Sequence, residues 1–156
     1  MSYDTLSNYL GYIEEVFLAY KTERYNIKGK VCVAGNCKYY LNDLSFKNFL
    51  YPGFAYGVGY LLENAVYLEL RRLGYIVYTG SFRDKEVDFV AMKDDRVIYL
   101  QATYMLETAQ TMEREYAPLL TIGDNYEKYV VSMDEVQFPS NEGVRHIQAW
   151  NLKEIL

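Results

Sequence analysis

Leu6, Leu10, Ile13, Val16 and Phe17 recur at helical spacing behind Asp4 and Thr5, either of which can cap the free amides of a helix start. From Leu18 to Ile27 the pattern tightens into a strand-like, aromatic run that ends at Lys28-Gly29-Lys30. A second strand is expected from Cys37 through Tyr39, Tyr40 and Leu41. Cys32 and Cys37 flank Ala34-Gly35-Asn36, a turn signal that would set the two thiols across a hairpin, reduced rather than bridged. A helix followed by a β-hairpin is the second half of a winged helix, here without its first helices. Residues 1–50 are therefore read as a partial winged-helix segment, belonging to a longer protein.

Pro52-Gly53 marks a boundary, and a second domain is expected over residues 53–156. Val58, Leu61, Leu62, Ala65, Val66, Leu70 and Leu73 form one apolar helical stripe that stops at Gly74. Three strand-like runs follow, Tyr75–Thr79, Glu86–Met92 and Val97–Thr103, with turns at Gly80-Ser81 and Lys93-Asp94-Asp95. A helix over Leu106–Leu120, broken near Pro118, leads to strands at Lys128–Met133 and Val144–Trp150 and a helical end at Leu152–Leu156. The fold class expected is α/β: a restriction-endonuclease-like αβββαβ core with a mixed sheet behind the winged-helix segment.

Composition changes this picture little. With 51% hydrophobic residues, 18 Tyr and 7 Phe, a packed core is expected rather than disorder. No apolar stretch approaches the ~20 residues of a membrane span, so no membrane partner is expected and the cytoplasm is the default location. One histidine and two cysteines are too few for a four-ligand zinc site. The charge is more informative. It sums to −5, yet residues 1–50 hold six Lys/Arg against five Asp/Glu. Lys21, Arg24, Lys28, Lys30 and Lys38 cluster around a single acid, Glu23, and make a basic hairpin that is either a solvated surface or a contact for DNA.

Three polar residues interrupt the apolar pattern where chemistry would need them. Glu63 breaks the helical stripe beside Leu62, Asp88 sits inside Val87-Asp88-Phe89-Val90, and Gln101-Ala102-Thr103 ends the third strand. Burying Asp88 among apolar neighbours is costly unless it is paired or metal-bound. A Mg²⁺-dependent nuclease of αβββαβ build places one acid on the first helix and one on the second strand, then an acid and a lysine two residues apart on the third. Glu63 and Asp88 fit, with both able to serve as metal ligands, and Mg²⁺ or Mn²⁺ is the cofactor any retained cleavage would use. Gln101 stands at the third acid's place and Thr103 at the lysine's, so both charges are missing. A relocated basic residue is the rescue, with Arg114 on the following helix the candidate and Lys85 placed at a strand entrance.

Leu62-Glu63-Asn64-Ala65-Val66-Tyr67-Leu68-Glu69-Leu70-Arg71-Arg72-Leu73-Gly74-Tyr75, Glu86-Val87-Asp88-Phe89-Val90, Tyr99-Leu100-Gln101 and Glu113-Arg114-Glu115 are ordered blocks, preceded by Tyr39-Tyr40-Leu41-Asn42-Asp43. Together they resemble the uncharacterised C-terminal domain of prokaryotic AAA+-type ATPases, classed with the PD-(D/E)XK nuclease-like superfamily. The resemblance implies a parent with an N-terminal P-loop ATPase, while no phosphate-binding loop is present in this chain. It also implies that Gln101 is a habit of the family. The expectation is a nuclease-shaped module with a degraded site that binds DNA or a protein partner, its own ATPase domain included. The alternative is an active Mg²⁺- or Mn²⁺-dependent nuclease.

Overall fold

In the computed structural model, which describes residues 2–53 and 57–156, one mixed sheet of seven strands runs through the chain. The elements are α1 (Tyr3–Glu15), β1 (Ala19–Asn26), β2 (Val31–Leu41), α2 (Ser45–Leu50), α3 (Val58–Arg72), β3 (Ile76–Phe82), β4 (Lys85–Lys93), β5 (Arg96–Ala102), α4 (Ala109–Leu120), β6 (Glu127–Ser132) and β7 (Val144–Gln148), then a short 3-10 helix over Ala149–Glu154. The strand order is β2-β1-β3-β4-β5-β6-β7. The pairs β1/β2, β3/β4 and β4/β5 are antiparallel, whereas β1/β3, β5/β6 and β6/β7 are parallel. The protein is thus α/β with a mixed sheet, as the alternation of periods predicts.

Both faces of the sheet are covered. Leu62, Val66, Tyr67 and Leu70 of α3 pack with Tyr40, Phe89, Ala91, Ile98 and Leu100 on one face. Tyr116 and Leu119 of α4 pack with Ile27, Val87, Val90, Tyr99 and Val130 on the other. Strands buried on both sides read as near-continuous apolar runs, which explains Val87–Ala91 and Ile98–Leu100.

Three expectations need correction. The boundary at Pro52-Gly53 does not divide the sheet, because β1 pairs with β3 through Arg24↔Thr79, Tyr25↔Gly80 and Asn26↔Ser81. Residues 1–50 therefore extend the same sheet instead of standing apart as a partial winged helix. The hairpin turn lies at Lys28–Lys30, so Cys32 and Cys37 share β2, five residues apart, and both are free. Gly80-Ser81 is strand, and the turn falls at Arg83-Asp84, where Arg83 takes the left-handed conformation at φ 58°.

The irregularity that makes Gly80 look like a turn is a β-bulge. Tyr78 pairs with Val90 and Gly80 with Val87, so Thr79 alone faces both Asp88 and Phe89. Val87 and Val90 join the α4-side core while Phe89 joins the α3-side core, so the extra residue turns Asp88 toward α3. A Cβ on Gly80 would lie 2.8 Å from Val90 Cγ2 and 3.0 Å from both Ile27 Cδ1 and Val87 Cβ. Glycine is what lets the bulged strands close.

Candidate functional site

Glu63 reaches the site from the first half of α3, on the side of the helix that meets the sheet. Its Oε1 accepts from Lys38 Nζ at 2.8 Å and from the Tyr40 hydroxyl at 2.7 Å. Tyr40 is itself fixed by stacking on Tyr67, ring centroids 4.2 Å apart. Burial, with the Glu63 charge and hydrogen bond beside it, pushes the Tyr40 phenol well above its ordinary range, so it stays a donor.

Asp88 is placed by the bulge, and its two oxygens do different work. Oδ2 accepts the Ala102 backbone N–H at 3.0 Å, and Oδ1 lies 3.4 Å from Lys38 Nζ. The ladder between β4 and β5 ends at Phe89↔Leu100. Beyond it the strands splay, and side chains replace the ladder: Gln101 Oε1 accepts the Asp88 N–H at 3.2 Å. Burial, then the Glu63 charge, raise the Asp88 pKa well above the usual carboxylate range, with Lys38 and the Ala102 N–H opposing.

Lys38 is the centre of the cluster, whereas the sequence groups it with the basic residues of a hairpin that is either a solvated surface or a contact for DNA. Besides Glu63 and Asp88 it pairs with Glu86 Oε1 at 3.0 Å, and Glu86 Oε2 takes Arg24 Nη2 at 2.6 Å. Burial alone would lower the lysine's pKa, but the Asp88 charge, then Glu63 and Glu86, outweigh it and the net direction is up. Lys38 and Arg24 are thus engaged in ion pairs with acids of this chain. Of the five hairpin basics, Lys21, Lys28 and Lys30 remain exposed, with Lys30 Nζ 5.7 Å from the Tyr126 ring centre.

The opening between the splayed strands is a pocket lined by Glu63, Asp88, Gln101 and Thr103 with Tyr60, Arg114 and Glu115. The structure therefore brings Glu63, Asp88, Gln101, Thr103 and Arg114 to one place. Arg114 does not reach the carboxylates of the cluster: its side chain is 71% exposed and is held by Glu115 Oε1 at 2.6 Å. Glu115, 8% exposed, is an acid that the sequence reading did not single out, and its charge adds to the upward push on Asp88. Lys85 lies at the start of β4 and faces the neighbouring grooves along α4.

The place of Lys38 in this cluster is not readable from the sequence, because β2 is separated from α3 by a helix and Lys38 from Asp88 by 50 positions, and only the sheet order brings them together. One signal was available. Lys38, Tyr40 and the α3-facing side of β2 alternate at period two, with Tyr40 in an expected strand.

A divalent metal does not fit the side chains as they stand. Among the described residues, no group of three or more His, Cys, Asp or Glu is arranged to hold one. The ammonium of Lys38 occupies the space between Glu63 and Asp88, and the Gln101 carbonyl is turned to a backbone N–H.

Among the described residues no helix is long and apolar enough to cross a membrane. No family model matches the chain, and no solved structure matches it. A protein of Haemophilus influenzae described as an uncharacterized protein is 36% identical over 128 residues, which make up 82% of this chain and 31% of that protein. The chain thus spans about a third of the length of the relative it matches.

Proposed function

We infer that this chain is the nuclease-like C-terminal domain of an AAA+-type ATPase, retaining the shape of a PD-(D/E)XK site and using it for binding rather than cleavage. Support for the fold half comes from α3, the antiparallel β3-β4-β5 and α4 leading to a parallel β6, the order and directions of a restriction-endonuclease-like core. The longer relative, of which the match occupies 31%, leaves room for an ATPase in such a parent.

The observation that carries the binding reading is the lysine between the carboxylates. An internal ammonium neutralises Glu63 and Asp88 and supplies between them the positive charge that a hard cation would otherwise bring. The partner in this reading is DNA, met by Lys21, Lys28 and Lys30, with the parent's own ATPase domain or another protein as the alternative.

One observation favours the competing reading of a Mg²⁺- or Mn²⁺-dependent nuclease. A basic side chain is within 3.4 Å of both Glu63 and Asp88, and in that reading Lys38, not Arg114, is the relocated residue.

Calorimetric titration with Mn²⁺ and a plasmid-nicking assay separate the two readings. The binding reading expects no Asp88-dependent heat at millimolar Mn²⁺ and no nicking. Nicking that both Asp88→Ala and Lys38→Ala abolish would overturn it. For the DNA partner, affinity should fall steeply with salt, and replacing Lys28 and Lys30 by Ala should flatten the slope. An unchanged slope removes the hairpin from the contact.

A further inference from the structure

α1 carries more apolar surface than the sheet beneath it uses. At about 100° per residue, Leu10, Leu6, Ile13, Tyr9, Val16 and Tyr12 lie within one arc of about 160°, which Thr5 alone interrupts. A helix lying on a single core needs an arc of ~100°. Leu10 and Ile13 form the used half, partly buried where α1 meets β1. The other half is open: Tyr9 is 58% exposed, Tyr12 59% and Val16 71%. Phe17, 65% exposed and left-handed at φ 56°, continues the stripe past the helix end.

Single exposed apolar residues are ordinary on a protein surface, but a contiguous stripe along one helix is not. The energetics agree. A helix of 13 residues is marginal in water and owes its stability to packing, and Gly11 at its centre weakens it further. None of its described side chains is buried. A helix that is apolar on two sides and packed on one belongs between two layers.

We propose that the outer half of α1 is the docking face for polypeptide that the longer relative carries outside the matched stretch, an apolar helical element seated along Tyr9, Tyr12 and Val16. The occupant is chosen on two grounds. The match takes up only 31% of the relative, so most of that polypeptide lies outside the matched stretch and is at hand to cover the face. Moreover the exposed charges on α1 are the acids Asp4 and Glu15, and the helix has no Lys or Arg, so the element that covers it is apolar with basic flanks. The proposal rests on the reading of this chain as one domain of a longer protein.

Amide hydrogen exchange over residues 4–17 tests it, measured in the 156-residue chain and in the complete reading frame of its gene. Exchange of the Tyr9–Val16 amides is expected to be at least tenfold slower in the longer polypeptide. Tyr9→Ser with Val16→Ser should abolish that difference while leaving β4 and β5 protection unchanged. Equal exchange in both polypeptides overturns the proposal and leaves the domain reading standing. A reading frame with no further domain overturns both. Protection of α1 in the 156-residue chain, accompanied by a concentration-dependent doubling of mass, gives the face to a second copy and overturns it as well.

Discussion

Two polar clusters set the residue-scale behaviour, and in each the contribution of one side chain falls as the pH falls. In the first, Lys38 is the counter-charge for Glu63, Glu86 and Asp88. Lys38→Met should destabilise by about 1–3 kcal/mol at pH 8, less than for a fully buried pair because the lysine is partly solvated. The loss should shrink near pH 5, where Asp88, its pKa raised, has taken up a proton and needs no partner. In an Asp88→Asn background the same substitution should cost less, and urea denaturation of the four proteins in the cycle measures the coupling. Additive costs would mean that the lysine does not serve Asp88. The second cluster lies across the sheet. The Phe138 N–H donates to His146 Nδ1 at 3.2 Å, so Nε2 carries the proton and donates to Ser132 Oγ at 2.8 Å. The serine in turn donates to Asp134 Oδ2 at 2.6 Å. Burial lowers the His146 pKa below its ordinary 6.5, with the Asp134 charge opposing. A base depressed on folding binds more protons unfolded, so its contribution is fully present above pH 6.5 and is lost as pH falls below that value. The stability difference between wild type and His146→Gln should therefore narrow between pH 7.5 and 5.5, which paired denaturation curves would reveal. A constant difference would rule out a neutral, accepting His146.

At the scale of elements, the bulge in β4 connects sequence to site. Regular alternation outward from Phe89 would send Asp88 to the α4 face, away from Glu63. The extra residue opposite Thr79 reverses that, and Gly80 makes the close approach of Val90, Ile27 and Val87 possible. Gly80→Ala should cost about 1–3 kcal/mol through overpacking. It should also perturb the amide signals of Asp88 and Ala102 in an NMR spectrum more than those of β6; undisturbed Asp88 and Ala102 signals would detach the bulge from the site. The element list was legible because the periods are strong: α3 and β3 to β6 lie within a few residues of their expected positions. What misled at Gly80 was a glycine read as a turn when its role is steric, since a bulge depends on the partner strand and not on local pattern. α2 was not anticipated, and none of its residues is buried, so its apolar pattern had no core face to announce it. Glu63, Asp88 and Gln101 stood out as polar residues in apolar runs. Lys38 and Glu115 did not, because Lys38 groups with the other basic residues of the hairpin and Glu115 follows Glu113 and Arg114, and only their contacts in the folded chain set them apart.

At the scale of the whole molecule, the unexpected fact is that residues 1–50 belong to the sheet. β1 covers the edge of β3 and sends Ile27, whose N–H donates to the Ser81 carbonyl at 2.9 Å, into the α4-side core. β2 delivers Tyr40 to the α3-side core and Lys38 to the carboxylates. Asn64 of α3 locks that strand in place, accepting the Leu41 N–H at 2.8 Å and donating to its carbonyl at 2.9 Å. A division at residue 53, which Pro52-Gly53 suggests, would therefore do three things at once. It would bare the β3 edge with buried Val77 and Thr79 alongside it, remove the stacking partner of Tyr67, and leave Glu63 and Asp88 without a cation. An uncovered edge strand is a template for aggregation, and two unneutralised buried carboxylates oppose compaction. A polypeptide of residues 53–156 should consequently be insoluble or lack a cooperative thermal transition, whereas removal of residues 1–17 alone, which leaves β1 and β2 intact, should preserve one. Circular dichroism melting and size-exclusion chromatography of the two truncations distinguish these outcomes. A soluble, cooperatively melting 53–156 polypeptide would show that the hairpin is an appendage after all and that the Lys38 cluster is not needed to hold the site together.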